Sequence, residues 1–177
     1  MAFITPSMLV MSSFHHHYLL QVTFTGSGFT NSTNYAGKKG TCGSNHNYYR
    51  LKMRLENPSA VCFDGDRTLY LSLVKNQGSK SRILKIDTSS GQGDTVCSTS
   101  QRVGRLTYDR FSNKVYFTSK YGFGFVLMDQ GTSTVRNLID GTGTGTGSLD
   151  STGLYAALSF AQVEEKLWLI CDTKNHR

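Results

Sequence analysis

Four polar residues lie close to the end of the chain, and three of them carry ionisable side chains. Asp172 ends an apolar run, and Asn175, His176 and Arg177 follow it closely. A carboxylate, an imidazole and a guanidinium at this spacing are candidates for a catalytic cluster. The same groups can instead tie a tight turn together, because buried donors and acceptors must be paired. We favour this structural interpretation, and we assign no catalytic residue.

A glycine-rich loop precedes this polar cluster. Residues Gly141 to Gly147 alternate glycine with threonine, a spacing similar to that of loops that bind dinucleotide phosphates. Such loops need a strand before them and a helix N-terminus after them, so that backbone amides converge on the anion. Here another strand pattern follows, and the lysine of a P-loop is missing. We therefore expect a connection between sheets and no cofactor.

Histidine and cysteine spacing favours no metal site. The run His15–His17 lies in a stretch from Phe14 to Phe24 that alternates with a period of two, which predicts the start of a half-buried strand. His46 stands alone in a loop rich in tyrosine and asparagine, and we expect it at the surface. No C-x-x-C pair exists. We expect buried, reduced thiols in the apolar strands, and the disulfide state stays open for Cys42, Cys62, Cys97 and Cys171.

An aromatic and basic cluster lies in the middle of the first half of the chain. It consists of Tyr48, Tyr49, Arg50, Lys52 and Arg54. Aromatic rings stack on bases and cations hold phosphates, so this composition suits single-stranded RNA. The alternative, which we favour, is that the tyrosines pack on a sheet while the cations stay in water.

Composition places the chain among β-rich globular proteins. Its 177 residues are enough for one domain with a core, and it has 18 Gly against 2 Pro with only 18% charged residues. The net charge of +7 is scattered rather than clustered, which is typical of a solubilising surface. Residues 1–17 lack the basic start and cleavage site of a signal peptide, so we treat them as a leader of uncertain status. We expect no membrane span, and a cytoplasmic location is favoured.

Three segments of the chain share one order of predicted strands. These strands are 57–64, 68–73, 81–87 and 94–97; then 105–109, 114–119, 123–129 and 134–139; then 157–161 and 166–171. Residues 18–24 and 33–36 predict the last two strands of an earlier segment. Aligning the second strands puts Tyr70, Tyr116 and Trp168 in register, at separations of 46 and 52 residues. Propeller blades repeat at roughly 40 to 50 residues.

The last segment resembles the NHL repeat, a blade unit of β-propellers. The resemblance rests on the glycine-rich loop ending at Asp150, the apolar strand 166–171, and Asp172 followed by Asn175-His176-Arg177. In that family the equivalent polar residues tie the turn between strands. The resemblance implies an all-β NHL-type propeller fragment over residues 18–177, with two full four-stranded blades and partial blades at each end. That is about half of a six-bladed, TolB-like ring.

The resemblance implies a non-enzymatic scaffold for protein interaction. Half a ring would expose strand edges and one side of its core, so we expect a protein partner or self-association. Since some NHL propellers bind RNA on a basic face, the cluster at residues 48–54 is the first alternative. The second alternative is a fragment of a metal-dependent propeller lyase or hydrolase.

The enzyme alternative needs metal ligands on the innermost strand of each blade. The residues predicted at those positions offer neither a carboxylate nor an imidazole: Ser59, Ala60, Val61, Gly104, Arg105, Leu106, Leu158 and Ser159. Since a metal site needs several ligands that converge from different strands, we predict no metal site and favour a binding protein over an enzyme.

Overall fold

The computed structural model describes residues 1–46, 48–75, 80–119, 122–127, 134–140, 157–165 and 167–172. Antiparallel strands dominate this part of the chain, and it contains no α-helix. In chain order the strands are β1 (Ala2–Thr5), β2 (Met8–Ser13), β3 (Tyr18–Thr25), β4 (Gly28–Gly37), β5 (Pro58–Phe63), β6 (Thr68–Val74), β7 (Ser81–Asp87), β8 (Gly93–Thr99), β9 (Val103–Asp109), β10 (Lys114–Ser119), β11 (Gly122–Leu127), β12 (Thr134–Asp140), β13 (Ala157–Glu164) and β14 (Leu167–Asp172). The predicted all-β class is confirmed.

The strands form four sheets that follow one another along the chain. The first three sheets hold four strands each, β1–β4, β5–β8 and β9–β12, and the described part of the fourth holds β13 and β14. Neighbouring strands are also neighbours in sequence, and every pair is antiparallel. None of the described sheets closes on itself. The predicted order of strands in the three segments is therefore confirmed.

The middle sheets are apolar on both faces because each lies between two others. In β6, Leu69, Leu71 and Leu73 point into one core cluster, while Tyr70 points into the next. A strand covered on both sides reads as a continuous apolar run rather than as an alternation. Tyr70, Tyr116 and Trp168 lie in the second strands of their sheets, β6, β10 and β14, as predicted. The predicted register does not extend to Trp168, because Tyr70 stacks on Tyr108 of the following sheet whereas Trp168 packs back on Tyr116 of the preceding one.

The first sheet is larger than the sequence predicts. The sequence predicts two strands there and a leader over residues 1–17, whereas β1 and β2 complete a four-stranded sheet. The turn between them is fixed by the backbone amide of Phe24, which donates to the carbonyl of Ser7 at 2.8 Å. Leu9 and Val10 are both buried although they point to opposite faces, so β2 carries no alternation that would have predicted a strand.

The histidine run does not begin a strand, and this prediction was wrong. Phe14–His16 form a single turn of 3₁₀ helix, and His17 ends it with a left-handed backbone at φ 62°. The strand begins one residue later, at Tyr18. Left-handed backbone breaks the extended geometry, so a period of two through this stretch could not be realised.

The core lies between successive sheets. Val10 and Leu19 from the first sheet meet Leu71 and Leu84 from the second, together with Met53 from the connection between the two sheets. A second cluster joins the next pair of sheets and includes Ile83, Val103, Val115 and Phe117. The first strands of the sheets also contact one another in series, β1 with β5, β5 with β9, and β9 with β13.

Aspartates hold the turns that follow the first strands of the second and third sheets. Asp64 accepts hydrogen bonds from the amides of residues 66, 67 and 68 at 2.9, 2.8 and 2.9 Å. Asp109 accepts from the amide of Phe111 at 2.9 Å and from the hydroxyl of Ser112 at 2.6 Å. Although desolvation acts against it, this bonding holds the pKa of both carboxyls below the usual aspartate value.

Candidate functional site

The first sheet turns an apolar face away from the core, which we call the leading face. Because Val10 and Leu19 point to the core, their neighbours in sequence point the other way. Cross-strand pairing joins these outward residues into a continuous patch. Its members are Phe3, Leu9, Met11, Leu20, Val22, Phe24 and Phe29. Phe3 and Phe29 are 59% and 65% exposed, so the rim of the leading face is open to solvent.

The leading face is also free of charge. Residues 1–37 contain no Asp, Glu, Lys or Arg, and the first charged side chain is that of Lys38. Proteins commonly protect exposed strands with charged side chains, since unprotected strands and apolar faces associate with other chains. An uncharged sheet with exposed aromatic rings is therefore suited to contact another apolar surface.

The last sheet presents a second apolar face, which we call the trailing face. Its members are Ala161, Val163, Leu167, Leu169 and Cys171. Ala161 and Leu169 lie opposite each other across the two strands. Leu167 and Leu169 are 48% and 62% exposed. The stack of described sheets therefore presents apolar side chains at both of its ends.

The opposite side of the last sheet packs on the third sheet. The indole ring of Trp168 lies 4.3 Å from the ring of Tyr116 and 5.6 Å from that of Phe160, measured between centroids. Phe160 is buried by this contact. The trailing face therefore has a defined orientation, because aromatic packing holds its reverse side.

A groove of about 660 Å³ runs along the first strands of the sheets. Six of the residues predicted at innermost positions line it: Ser59, Ala60, Val61, Gly104, Arg105 and Leu106. The side chains of the other two, Leu158 and Ser159, lie outside the described part. The described lining residues include a cation, Arg105, and no carboxylate or imidazole.

Metal ligands do not converge in the described part of the chain. Within those residues, no three His, Cys, Asp or Glu side chains come together as a metal site. The metal-dependent lyase or hydrolase stays a prediction, without a ligand set to support it. No helix in the described part has the length and apolar character to cross a membrane.

The aromatic and basic cluster lies in the connection between the first two sheets, and part of it is structural. The guanidinium of Arg50 lies 4.4 Å from the ring centroid of Tyr35 and donates to its carbonyl at 3.1 Å. The ring of Tyr49 packs against Gly91, where an added Cβ would come within 2.5 Å of it. Tyr48 and Tyr49 keep 48% and 43% of their surface exposed.

The remaining cations of this cluster are in water. Lys52 and Arg54 are exposed, as are Lys38 and Lys39 from the start of the same connection. The amide of Gly37 donates to the carbonyl of Arg50 at 2.8 Å, which brings the middle of the connection back to the end of β4. The predicted residues therefore lie on one exposed segment, in which Arg50 is engaged with Tyr35.

His46 is buried, not exposed as the sequence suggested. Only 4% of its surface is accessible, and its Nε2 has no hydrogen-bond partner. Burial, followed by the charge of Arg82, lowers the pKa of His46 to about 4, so the imidazole is neutral at neutral pH. The connection folds inward here because Met53, seven residues on, is fully buried. The sequence around a single histidine in a loop contains no pattern from which its burial could be predicted.

The cysteines are all free of disulfides, and their burial differs from expectation at one position. Cys62 is buried as predicted, whereas Cys171 is exposed on the trailing face. Burial raises the pKa of the Cys62 thiol above its usual value. Cys97 is half-buried and Cys42 is exposed.

The residues that carry the NHL resemblance fall mostly outside the described part of the chain. Asp172 ends β14, but Asn175, His176, Arg177 and the loop Gly141–Gly147 lie outside the described residues. Their predicted structural role stays a prediction. No protein-family model matches the sequence, and no curated protein matches it.

Proposed function

We propose that this chain folds as NHL-type propeller blades and serves as a non-enzymatic scaffold for protein interaction. Two features support the propeller arrangement: each complete sheet keeps its strands in chain order, and the first strands of successive sheets contact one another. Blades arranged around an axis would share both features.

The observation that carries the interaction function is the pair of apolar faces at the two ends of the stack. Phe29 on the leading face and Leu169 on the trailing face are 65% and 62% exposed. Full burial of a phenylalanine or leucine side chain contributes about 1.5–3 kcal/mol. Several such side chains on one face are enough to bind a protein partner, once the cost of association is subtracted.

The test asks whether a protein partner is retained by the chain and lost when both faces are altered. The tagged chain, its Phe29→Ser/Leu169→Ser double variant and a Phe111→Ser control would be incubated with extract of the source cells. Phe111 is 62% exposed but belongs to neither face. We expect the wild type and the control to retain the same protein and the double variant to lose it. Equal retention by all three, or by none, would contradict the proposed function.

RNA binding is a second candidate, supported by the exposed tyrosines beside free cations. Lys52→Ala/Arg54→Ala is expected to weaken submicromolar binding of single-stranded RNA about tenfold or more, and to reduce its salt dependence, since each phosphate contact releases counterions. Lys80→Ala, at an exposed position just before β7, is the control. Fluorescence anisotropy over a salt series measures both. Binding that is absent or independent of salt would end this candidate.

A further inference from the structure

We propose that the partner is a second copy of this chain, whose leading face packs on the trailing face of the first copy. This inference rests on the proposed function, because it names the partner of the same two faces. The packing of successive sheets inside one chain supplies the pattern for this contact.

Inside the chain, each of the first three sheets packs one of its faces on the sheet that follows it in sequence. Val10 and Leu19 of the first sheet meet Leu71 of the second in one cluster. Ile83 of the second sheet meets Phe117 of the third in the next cluster. The rings of the third and fourth sheets meet in the same sense.

The trailing face is therefore the side of a sheet that packs on a following sheet elsewhere in this chain. The leading face is the side that packs on a preceding one. A contact between the leading face of one copy and the trailing face of another would therefore be of the same type as the sheet-on-sheet contacts inside the chain.

The two faces also match in chemistry. The leading face belongs to a segment of 37 residues without a charged side chain, and its exposed members are aromatic. The trailing face offers aliphatic side chains, Val163, Leu167 and Leu169, that are 52%, 48% and 62% exposed. Neither face carries a charge that the other would leave unpaired. An acidic or basic partner surface would gain nothing from either face, whereas a copy of the opposite face would.

The symmetry of this contact follows from its two different faces. A leading face against a trailing face is a heterologous contact, and two such contacts close a two-fold pair when the rotation allows. The described part of each chain supplies four sheets, the last with two strands. A closed pair would hold eight, which is within the four to eight blades of known propellers.

The test is a charge exchange between the two faces. Phe29→Lys changes the leading face and Leu169→Glu changes the trailing face, both at exposed positions where substitution is expected to leave the fold intact. Circular dichroism checks folding, and Phe3→Lys and Leu167→Glu serve as the second variant on each face. Phe111→Lys, exposed but on neither face, is the matched control. Sedimentation velocity and native mass spectrometry over a concentration series measure association.

We expect the wild type and the control to pair, and each face variant alone to associate at least about tenfold more weakly. An equimolar mixture of Phe29→Lys and Leu169→Glu should regain pairing. One contact in the mixed pair then joins two unaltered faces, and the other joins a face that carries a lysine to a face that carries a glutamate.

Three results would overturn the inference. These are a wild type that stays monomeric at the highest concentration, face variants that pair as well as the wild type, and a mixture that fails to regain pairing. A monomeric wild type that still retains another protein through these faces would overturn this inference and leave the proposed function standing. The absence of both self-association and a retained protein would overturn the two together.

Discussion

Replacing Phe117 by alanine is expected to lower the free energy of unfolding by about 3–5 kcal/mol. Phe117 lies in β10 with 1% of its surface exposed, in the cluster between the second and third sheets. Loss of the ring removes its transfer free energy and leaves a cavity that its neighbours fill only partly. Urea unfolding followed by circular dichroism measures the change.

The control for this substitution is Phe111→Ala in the turn after β9. The Phe111 ring is 62% exposed, so its loss should change the free energy of unfolding by no more than about 0.5 kcal/mol. If Phe117→Ala were as mild as the control, the second and third sheets would not share a packed core. The stacked arrangement of the sheets would then be wrong.

Replacing Gly37 by alanine is expected to cost about 2–4 kcal/mol of stability. Gly37 ends β4 with φ at 81°, a conformation that L-amino acids with a Cβ adopt only with strain. An added Cβ would lie 2.8 Å from the carbonyl oxygen of His17 and 3.0 Å from the Leu55 side chain. The carbonyl belongs to the backbone and cannot rotate away. Urea unfolding measures the loss, and hydrogen exchange at residues 37–56 locates it.

Gly26→Ala is the matched control for Gly37→Ala. No atom lies within 4 Å of a Cβ built at Gly26, so this substitution should be nearly neutral. A Gly37→Ala variant with wild-type stability and exchange would show that the connection between the first two sheets does not approach His17. The position of Met53 and Leu55 in the core would then be wrong as well.

The sequence predicts the strands of the second and third sheets well. The bounds expected for β7 and β10, residues 81–87 and 114–119, coincide with those of the structure. Both strands are runs of apolar and β-branched residues ended by turns, such as the one at Gly91 with φ 71°. Local chemistry is sufficient where a strand is bounded by residues that cannot continue it.

The first sheet and His46 could not be predicted, for different physical reasons. In β2 the leading face is apolar like the core side, so Leu9 and Val10 do not reveal which way either points. His46 is buried by long-range packing: the connection folds down until Met53 fills the space beside Gly93. No local pattern encodes a contact between residues so far apart in sequence.

The candidate site could be predicted only in part. Residue types alone predict the cluster at Tyr48, Tyr49, Lys52 and Arg54, which are exposed. They do not predict that Arg50 lies over Tyr35. Of the residues that the sequence predicts on innermost strands, six line the groove. The leading and trailing faces were missed, because a face exists only once the register between strands is known.

The absence of charged residues before Lys38 has a practical consequence for mapping this protein. Trypsin cleaves after lysine or arginine, so the whole first sheet leaves a digest as one peptide. Crosslinkers directed at lysine or at carboxylates cannot label a side chain within it. Mass-spectrometric mapping of the leading face therefore requires photoreactive or aromatic-directed labels and cleavage by chymotrypsin.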